Sequence, residues 1–263
     1  MTYFFFLNEC RKSLKYLNLI IYLSLVDIKI RYSKTIIGPL WTSLSIGIFV
    51  VSFGIIGSKL WNQDIKDFMP FFSSGYITWI LISNIISEST STLSNSARTL
   101  KSINTPYLVF LISMVLKNLI IFFHHLLVYF LICLFLDYKI NSYLLFIVPS
   151  VFIIFLIGIM FSFIWSILCT RYNDLSQFTS NLLQIFFFLT PVFWPADKLQ
   201  GIYFKLLVEL NPIYQILNLI RQPLLGNMIA IENLMYALLI LLVLLICCLI
   251  IGNKVKKDII FFI

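Results

Sequence analysis

The stretch that decides the fold runs from 195 to 231 and reads PADKLQGIYFKLLVELNPIYQILNLIRQPLLGNMIAI. Ile202, Tyr203, Phe204, Leu206, Leu207, Ile213, Tyr214, Ile216, Leu217, Leu219 and Ile220 make it too apolar for an ordinary loop, yet Pro195, Gly201, Pro212, Pro223 and Gly226 interrupt it. Each apolar piece falls short of the roughly 20 residues a helix needs to cross a bilayer. Non-helical backbone between such pieces must be sheltered by protein or reach the surface. The pattern therefore predicts a re-entrant helix pair over 195–231. The alternative, a single tilted span, gives seven crossings and carries the end of the chain to the other side.

Working outward, apolar stretches lie near 36–58, 70–90, 112–136, 143–168 and 176–194 before this segment, and near 232–252 after it. The chain is 60% hydrophobic and 11% charged, with a mean hydropathy of +0.99, which leaves too little polar surface to cover a soluble globule. The expected fold class is an all-α integral membrane protein with six transmembrane helices in one domain. Residues 1–35 form an amphipathic interface helix, 36–194 the first five spans, 195–231 the re-entrant pair, 232–252 the sixth span and 253–263 a short tail.

Lysine and arginine fix the orientation. Twelve of the nineteen lie on one side of that topology: Arg11, Lys12, Lys15, Lys29, Arg31, Lys34, Arg98, Lys101, Arg171, Lys254, Lys256 and Lys257. Six lie on the other, namely Lys59, Lys66, Lys139, Lys198, Lys205 and Arg221, and Lys117 sits inside the third stretch. The positive-inside bias then puts both termini in the cytosol. The net charge of +8 follows from this excess and does not point to nucleic acid. Near the start, Arg11, Lys12 and Lys15 before an apolar run mimic a signal peptide, but charged residues rather than a cleavage site follow.

Within 14–31, Leu14, Leu17, Ile21, Leu25 and Ile28 recur at helical steps, with Lys15, Asn18, Tyr22 and Lys29 to one side and Ser24, Asp27 and Arg31 to the other. That is the pattern of a helix lying in the membrane surface, or of a juxtamembrane helix whose lysines bind anionic lipid. From Ser91 to Pro106, Asn95, Arg98, Lys101 and Asn104 precede a helix-stopping proline, which predicts a short cytoplasmic elbow. The elbow is a handle for a partner protein, or a solvated basic loop that only fixes orientation.

Several chemistries are excluded. No GxxxxGK[ST] loop, HExxH motif, carboxylate cluster or G-x-S-x-G elbow occurs, so no catalytic site and no nucleotide hydrolysis by this chain is expected. His124 and His125 are adjacent, about 100° apart on a helix, and cannot share a metal. The five cysteines form no CxxC pair. No metal site is expected. Lys117 can run its stem along lipid while its ammonium reaches the interface. Glu88, among Ser83, Asn84, Ser87, Ser89 and Thr90, either lines a wet cavity or marks a fraying helix end. Tryptophans at 41, 61, 79, 165 and 194 suit an aromatic belt. Trp41, Phe49, Phe53, Phe186 and Phe187 alternatively line a channel with Glu88, where flat rings let sugar faces slide past without fixed hydrogen bonds. The two halves of the chain show no inverted repeat, so a two-fold pathway would need a second copy.

Four motifs in order carry a resemblance: DIKIRYSKTIIGPLW at 27–41, RYNDL at 171–175, LTPVFWP at 189–195 and NPIYQILNLIRQPLLG at 211–226. The chain resembles the ABC-2 type permeases that export lipid-linked polysaccharides such as O-antigen, capsule and teichoic acid. The resemblance implies a homodimer in the bacterial inner membrane with two copies of a separate ABC ATPase. ATP and Mg would be bound on that partner, and no cofactor by this chain. It implies that Asp27, Lys29 and Arg31 of the surface helix and Asn95, Arg98 and Lys101 of the elbow contact the ATPase. The lipid-linked glycan would follow a channel on the two-fold axis, gated by external helices carrying Pro195, Tyr214 and Arg221. An exporter of drugs or lipids is the alternative within the fold. A polyprenyl-handling membrane enzyme or a structural subunit would be alternatives outside it.

Overall fold

The computed structural model describes residues 5–38, 40–102, 105–196 and 201–255, and every regular element among them is helical. Asn104, Lys198, Lys256 and Lys257 fall outside the described residues. The helices are α1 Phe5–Ser13, α2 Leu17–Tyr32, α3 Leu40–Leu60, α4 Ile65–Ser89, α5 Thr92–Asn95, α6 Ala97–Ser102, α7 Tyr107–Phe135, α8 Ile147–Arg171, α9 Asp174–Leu189, α10 Ile202–Glu209, α11 Pro212–Leu224 and α12 Ile231–Val255. Single turns of 3₁₀ helix precede α2 and α8.

Five helices are long and apolar enough to cross a membrane: α3, α4, α7, α8 with its 3₁₀ turn, and α12. They match five of the expected stretches to within a few residues at most ends. The stretch at 176–194 does not. Its helix, α9, has 16 residues and stops at Leu189, about 24 Å at 1.5 Å per residue, against a hydrocarbon core of about 30 Å. The break has a local cause. The Thr190 amide closes the helix on the Phe186 carbonyl, and Pro191 has no N–H with which to continue. The multi-pass, all-helical expectation therefore stands, whereas helix length alone supplies five crossings rather than six.

α4 is the centre of the bundle, packed by α3, α7, α8, α9 and α11. Its Phe68, Phe72, Ile77 and Leu81 are almost completely buried. The Asp64 carboxylate caps it by accepting the Lys66 amide at 2.9 Å. α3 lies close against it because Gly57 leaves room for the Phe68 ring. A Cβ at Gly57 would sit 2.5 Å from that ring. By contrast α3, α8 and α12 expose broad aliphatic faces, including Leu238, Leu242, Val243 and Ile246 on α12, which suit lipid or another subunit and not water.

The two ends of the bundle differ in charge. One end gathers α1, the junction of α2 with α3, the end of α4, α5 and α6, the start of α7, and the ends of α8 and α12. The Phe5 amide donates to Asn253 Oδ1 at 3.0 Å, and the Tyr107 amide to Glu9 Oε2 at 3.0 Å. Arg11, Lys12, Lys15, Lys29, Arg31, Arg98, Lys101, Arg171 and Lys254 lie at this end. Lys59, Lys66 and Lys139 lie at the other.

α2 departs from the expected amphipathic arrangement. It buries Ile20, Ser24 and Ile28 against α7, while Leu14, Leu17, Ile21 and Leu25 are about half exposed or more. The helix is apolar on two sides, one used by the protein and one open to its surroundings. The packed stripe steps by four residues through Ser24, whose hydroxyl is satisfied by the Ile20 carbonyl at 2.7 Å. An apolar-only pattern therefore misses it.

Candidate functional site

Three arrangements carry chemistry. The first is at the basic end, where the Glu88 carboxylate in the last turn of α4 gathers three neighbours. Arg31 Nη2 of α2 donates to Oε1 at 2.6 Å, Lys117 Nζ of α7 lies 2.6 Å from Oε2, and Asn118 Nδ2 donates to Oε2 at 3.0 Å. Asn118 is itself held by the Met114 carbonyl at 3.0 Å. Burial disfavours the Arg31 charge, but the Glu88 carboxylate outweighs it and holds the guanidinium above its ordinary value. A polar cavity of about 410 Å³ opens beside this cluster, lined among others by Asp27, Arg31, Glu88, Asn95 and Lys117. Lys29, Arg98 and Lys101 lie nearby in sequence but point to the exposed surface. Lys117 thus differs from expectation. The residue is only 7% exposed and its ammonium is ion-paired to Glu88, because a carboxylate one helix away neutralises it.

The second arrangement is aromatic. Phe49 and Phe53 on α3, Phe68, Phe72, Tyr76 and Trp79 on α4, and Phe187 on α9 form one connected set of rings. Centroid separations are 4.7 Å for Phe49 with Tyr76, 4.7 Å for Phe53 with Phe72 and 5.5 Å for Trp79 with Phe187. An open cavity of about 400 Å³ lies on this set, walled by Phe49, Tyr76, Trp79 and Phe187 with Ser83 and Gln184 as polar members. Of the channel candidates, Phe49 and Phe187 line it, and Phe53 packs behind them. Trp41 is exposed at the start of α3. Phe186 faces the opposite side of α9, into an apolar cavity of about 310 Å³ shared with α4, α8, α11 and α12. Glu88 belongs to the polar cluster instead. Tyr76 was not singled out from sequence, although Phe68, Phe72, Tyr76 and Trp79 recur at helical spacing and mark one face of α4.

The third arrangement is α11, sunk into the bundle against α4, α8 and α12. Asn211 caps it, its Oδ1 accepting the Ile213 and Tyr214 amides at 3.0 and 3.2 Å, with Pro212 at the first helical position. Its far end is tied down by Tyr129 Oη to the Leu224 carbonyl at 2.5 Å and Asn141 Nδ2 to the Gly226 carbonyl at 2.6 Å. Arg221, counted from sequence among the outward-facing cations, is 2% exposed. Its Nη1 and Nη2 donate to the Pro191 and Val192 carbonyls at 2.7 and 2.8 Å, and its guanidinium lies 4.3 Å from the centre of the Phe71 ring. The break after α9 frees these carbonyls, and Arg221 satisfies them. Pro195 is buried and Tyr214 half-buried, both near this clamp in sequence but outside its bonds.

Both histidines have partners within the protein. His124 Nδ1 pairs with the Ile120 carbonyl at 2.8 Å and His125 Nε2 lies 3.4 Å from Thr42 Oγ1. No group of three or more metal-ligating side chains occurs among the described residues.

An all-helical, multi-pass chain with a basic surface helix, a short elbow and a proline-broken buried helix before its last span narrows the choice of transporter folds, and residues 19–225 match the ABC-2 type transporter family. The chain belongs to that family. This ABC-2 chain is also 26% identical over 212 residues to a protein of Myxococcus xanthus described as O-antigen export system permease protein RfbA, covering 79% of this chain and 80% of that one. An ABC-2 membrane domain is a transport subunit and not an enzyme. The match spans the α2 helix, the Glu88 cluster, the aromatic set and α11 together.

Proposed function

We propose that this chain is the permease subunit of an ATP-driven exporter that moves an undecaprenyl-diphosphate-linked, O-antigen-like polysaccharide across the bacterial inner membrane. Two copies assemble with two copies of an ABC ATPase, which binds ATP and Mg. The observation that carries the glycan reading is the aromatic-walled cavity of Phe49, Tyr76, Trp79 and Phe187 with Ser83 and Gln184 at its side. Rings offer apolar sugar faces a surface without fixed register, and a few polar groups exchange hydrogen bonds with hydroxyls as the polymer advances. The family match and the Myxococcus relative support the same reading.

The remaining parts take roles by position. The basic end faces the cytosol, a reading the charge asymmetry supports, and both termini lie there. α9 with the turn residues after Leu189 completes a sixth crossing, and α10 and α11 form the external re-entrant pair. Pro195, Tyr214 and the Arg221 clamp hold that pair as a gate. Asp27, Lys29 and Arg31 of α2 and Asn95, Arg98 and Lys101 of the elbow meet the ATPase.

Affinity purification of the tagged chain in mild detergent, with identification and ATPase assay of what accompanies it, tests the assembly. A two-plus-two complex with a Walker-motif subunit is expected. A lone chain in every detergent tried refutes the ATP-driven reading. Surface glycan that survives deletion of the chain refutes the substrate assignment and leaves drug or lipid export.

A further inference from the structure

One carboxylate joins three helices at the basic end, and its two cationic partners are unequal. The Lys117 side chain is 9% exposed and that of Arg31 is 44% exposed, with Glu88 between them at 21%. Breaking a buried ion pair by removing one partner strands a charge, and that is strongly unfavourable. Here the consequence differs for the two contacts. If Arg31 leaves, Glu88 keeps Lys117 and Asn118, and no buried charge is left alone. If Lys117 leaves, its ammonium is stranded in the interior.

We propose that Glu88 is a coupling latch and the positioning residue through which movement of α2 reaches α4 and α7, with Arg31 its releasable partner and Lys117 its permanent one. This inference rests on the reading of the chain as the permease of an ATP-driven exporter. The structure provides the space the exchange needs, since the cavity of about 410 Å³ beside the cluster is bounded by α2, the elbow and α7. It also provides a second seat. Asp27 lines the same cavity one helical turn before Arg31, at the spacing where side chains of a helix meet. No partner holds it among the described residues. A guanidinium with two carboxylates in reach has two discrete positions, and transmitted motion requires a two-position element of this kind. The same balance argues against an anion site, because Asp27 and Glu88 offset the two cations.

The test compares glycan delivered to the cell surface per folded complex with the ATPase rate of the same complex purified. Glu88→Gln with Lys117→Met removes both buried charges at once, so the variant folds without a stranded ion. It is expected to lower the ratio of export to hydrolysis at least tenfold. Arg31→Ala, which leaves the buried pair of Glu88 and Lys117 in place, is expected to lower it as well while the ATPase still co-purifies, and Arg31→Lys to recover most of it. A wild-type ratio in the double variant or in Arg31→Ala overturns the latch. Failure of the exporter reading looks different, because the wild-type chain itself would then purify without an ATPase or deliver no glycan.

Discussion

Gly75 on α4 exists to make room for Arg221, and replacing it with alanine tests the clamp. A Cβ at this position would lie 1.8 Å from Arg221 Nη2 and 2.7 Å from Cζ, distances no rotamer of alanine can relieve. Arg221 is nearly fully buried, so it has no solvent to retreat into, and the guanidinium must leave the Pro191 and Val192 carbonyls. Hydrogen bonds to a charged group contribute about 1.5–3 kcal/mol each, so losing both costs about 3–6 kcal/mol. At about 2–4 °C per kcal/mol for a chain of this size, the apparent unfolding temperature in detergent should fall by on the order of 10 °C. The measurement is a thermal scan of the tagged protein by fluorescence-detected size exclusion. The cause is isolated by a double-mutant cycle with Arg221→Ala. Once the guanidinium is gone the space it held is open, and Gly75→Ala should lie within about 1 kcal/mol of neutral. Equal cost in both backgrounds, or no cost in either, refutes the clamp.

Other outcomes follow from the same geometry. Gly47→Ala meets only Val128 Cγ1 at 3.5 Å, and should be neutral or raise stability by about 0.4–1 kcal/mol, read in the same scan. Asn211→Ala removes the α11 cap and the 2.9 Å bond from its Nδ2 to Thr190 Oγ1. It should cost about 1–2 kcal/mol and increase protease cleavage between α9 and α11. Phe187→Ala or Tyr76→Ala should reduce glycan export while folded complex persists. Unimpaired export in both variants would remove the aromatic cavity from the pathway. Burial raises the Glu9 carboxyl above its usual 4.5. Its ionisation therefore works against the folded state, with no penalty below 4.5 and a penalty that grows as pH rises through the raised value. Glu9→Gln should abolish that part of the pH dependence of stability, which begins as pH rises above 4.5.

The apolar stretches were legible because hydropathy is a local property. Each long helix except α9 begins and ends close to where the sequence changes character, and Asp64, Asn211 and Pro212 announce their caps. The elbow and the polar stripe around Glu88 were visible for the same reason. α9 ends short of the apolar stretch at 176–194 because hydropathy continues through Thr190 and Pro191 although the helical hydrogen bonding does not. α2 was assigned one apolar face because the pattern cannot tell a stripe that packs on protein from one that faces lipid.

What the sequence by itself determined is that this chain lives in a membrane as helices, that its charges divide between two ends, and that the segment 195–231 breaks into pieces too short to cross. The tertiary structure alone decided which charges meet. Arg31 and Glu88 are 57 residues apart, and their pairing with Lys117 depends on the rotation and depth of three helices, which no window of sequence encodes. Arg221 reads as an exposed cation by position and becomes a buried clamp, because two carbonyls freed by the break after α9 sit where α11 enters the bundle. Local pattern is set by the solvent each residue prefers. The site is set by how separate helices lean on one another, and that is a property of packing.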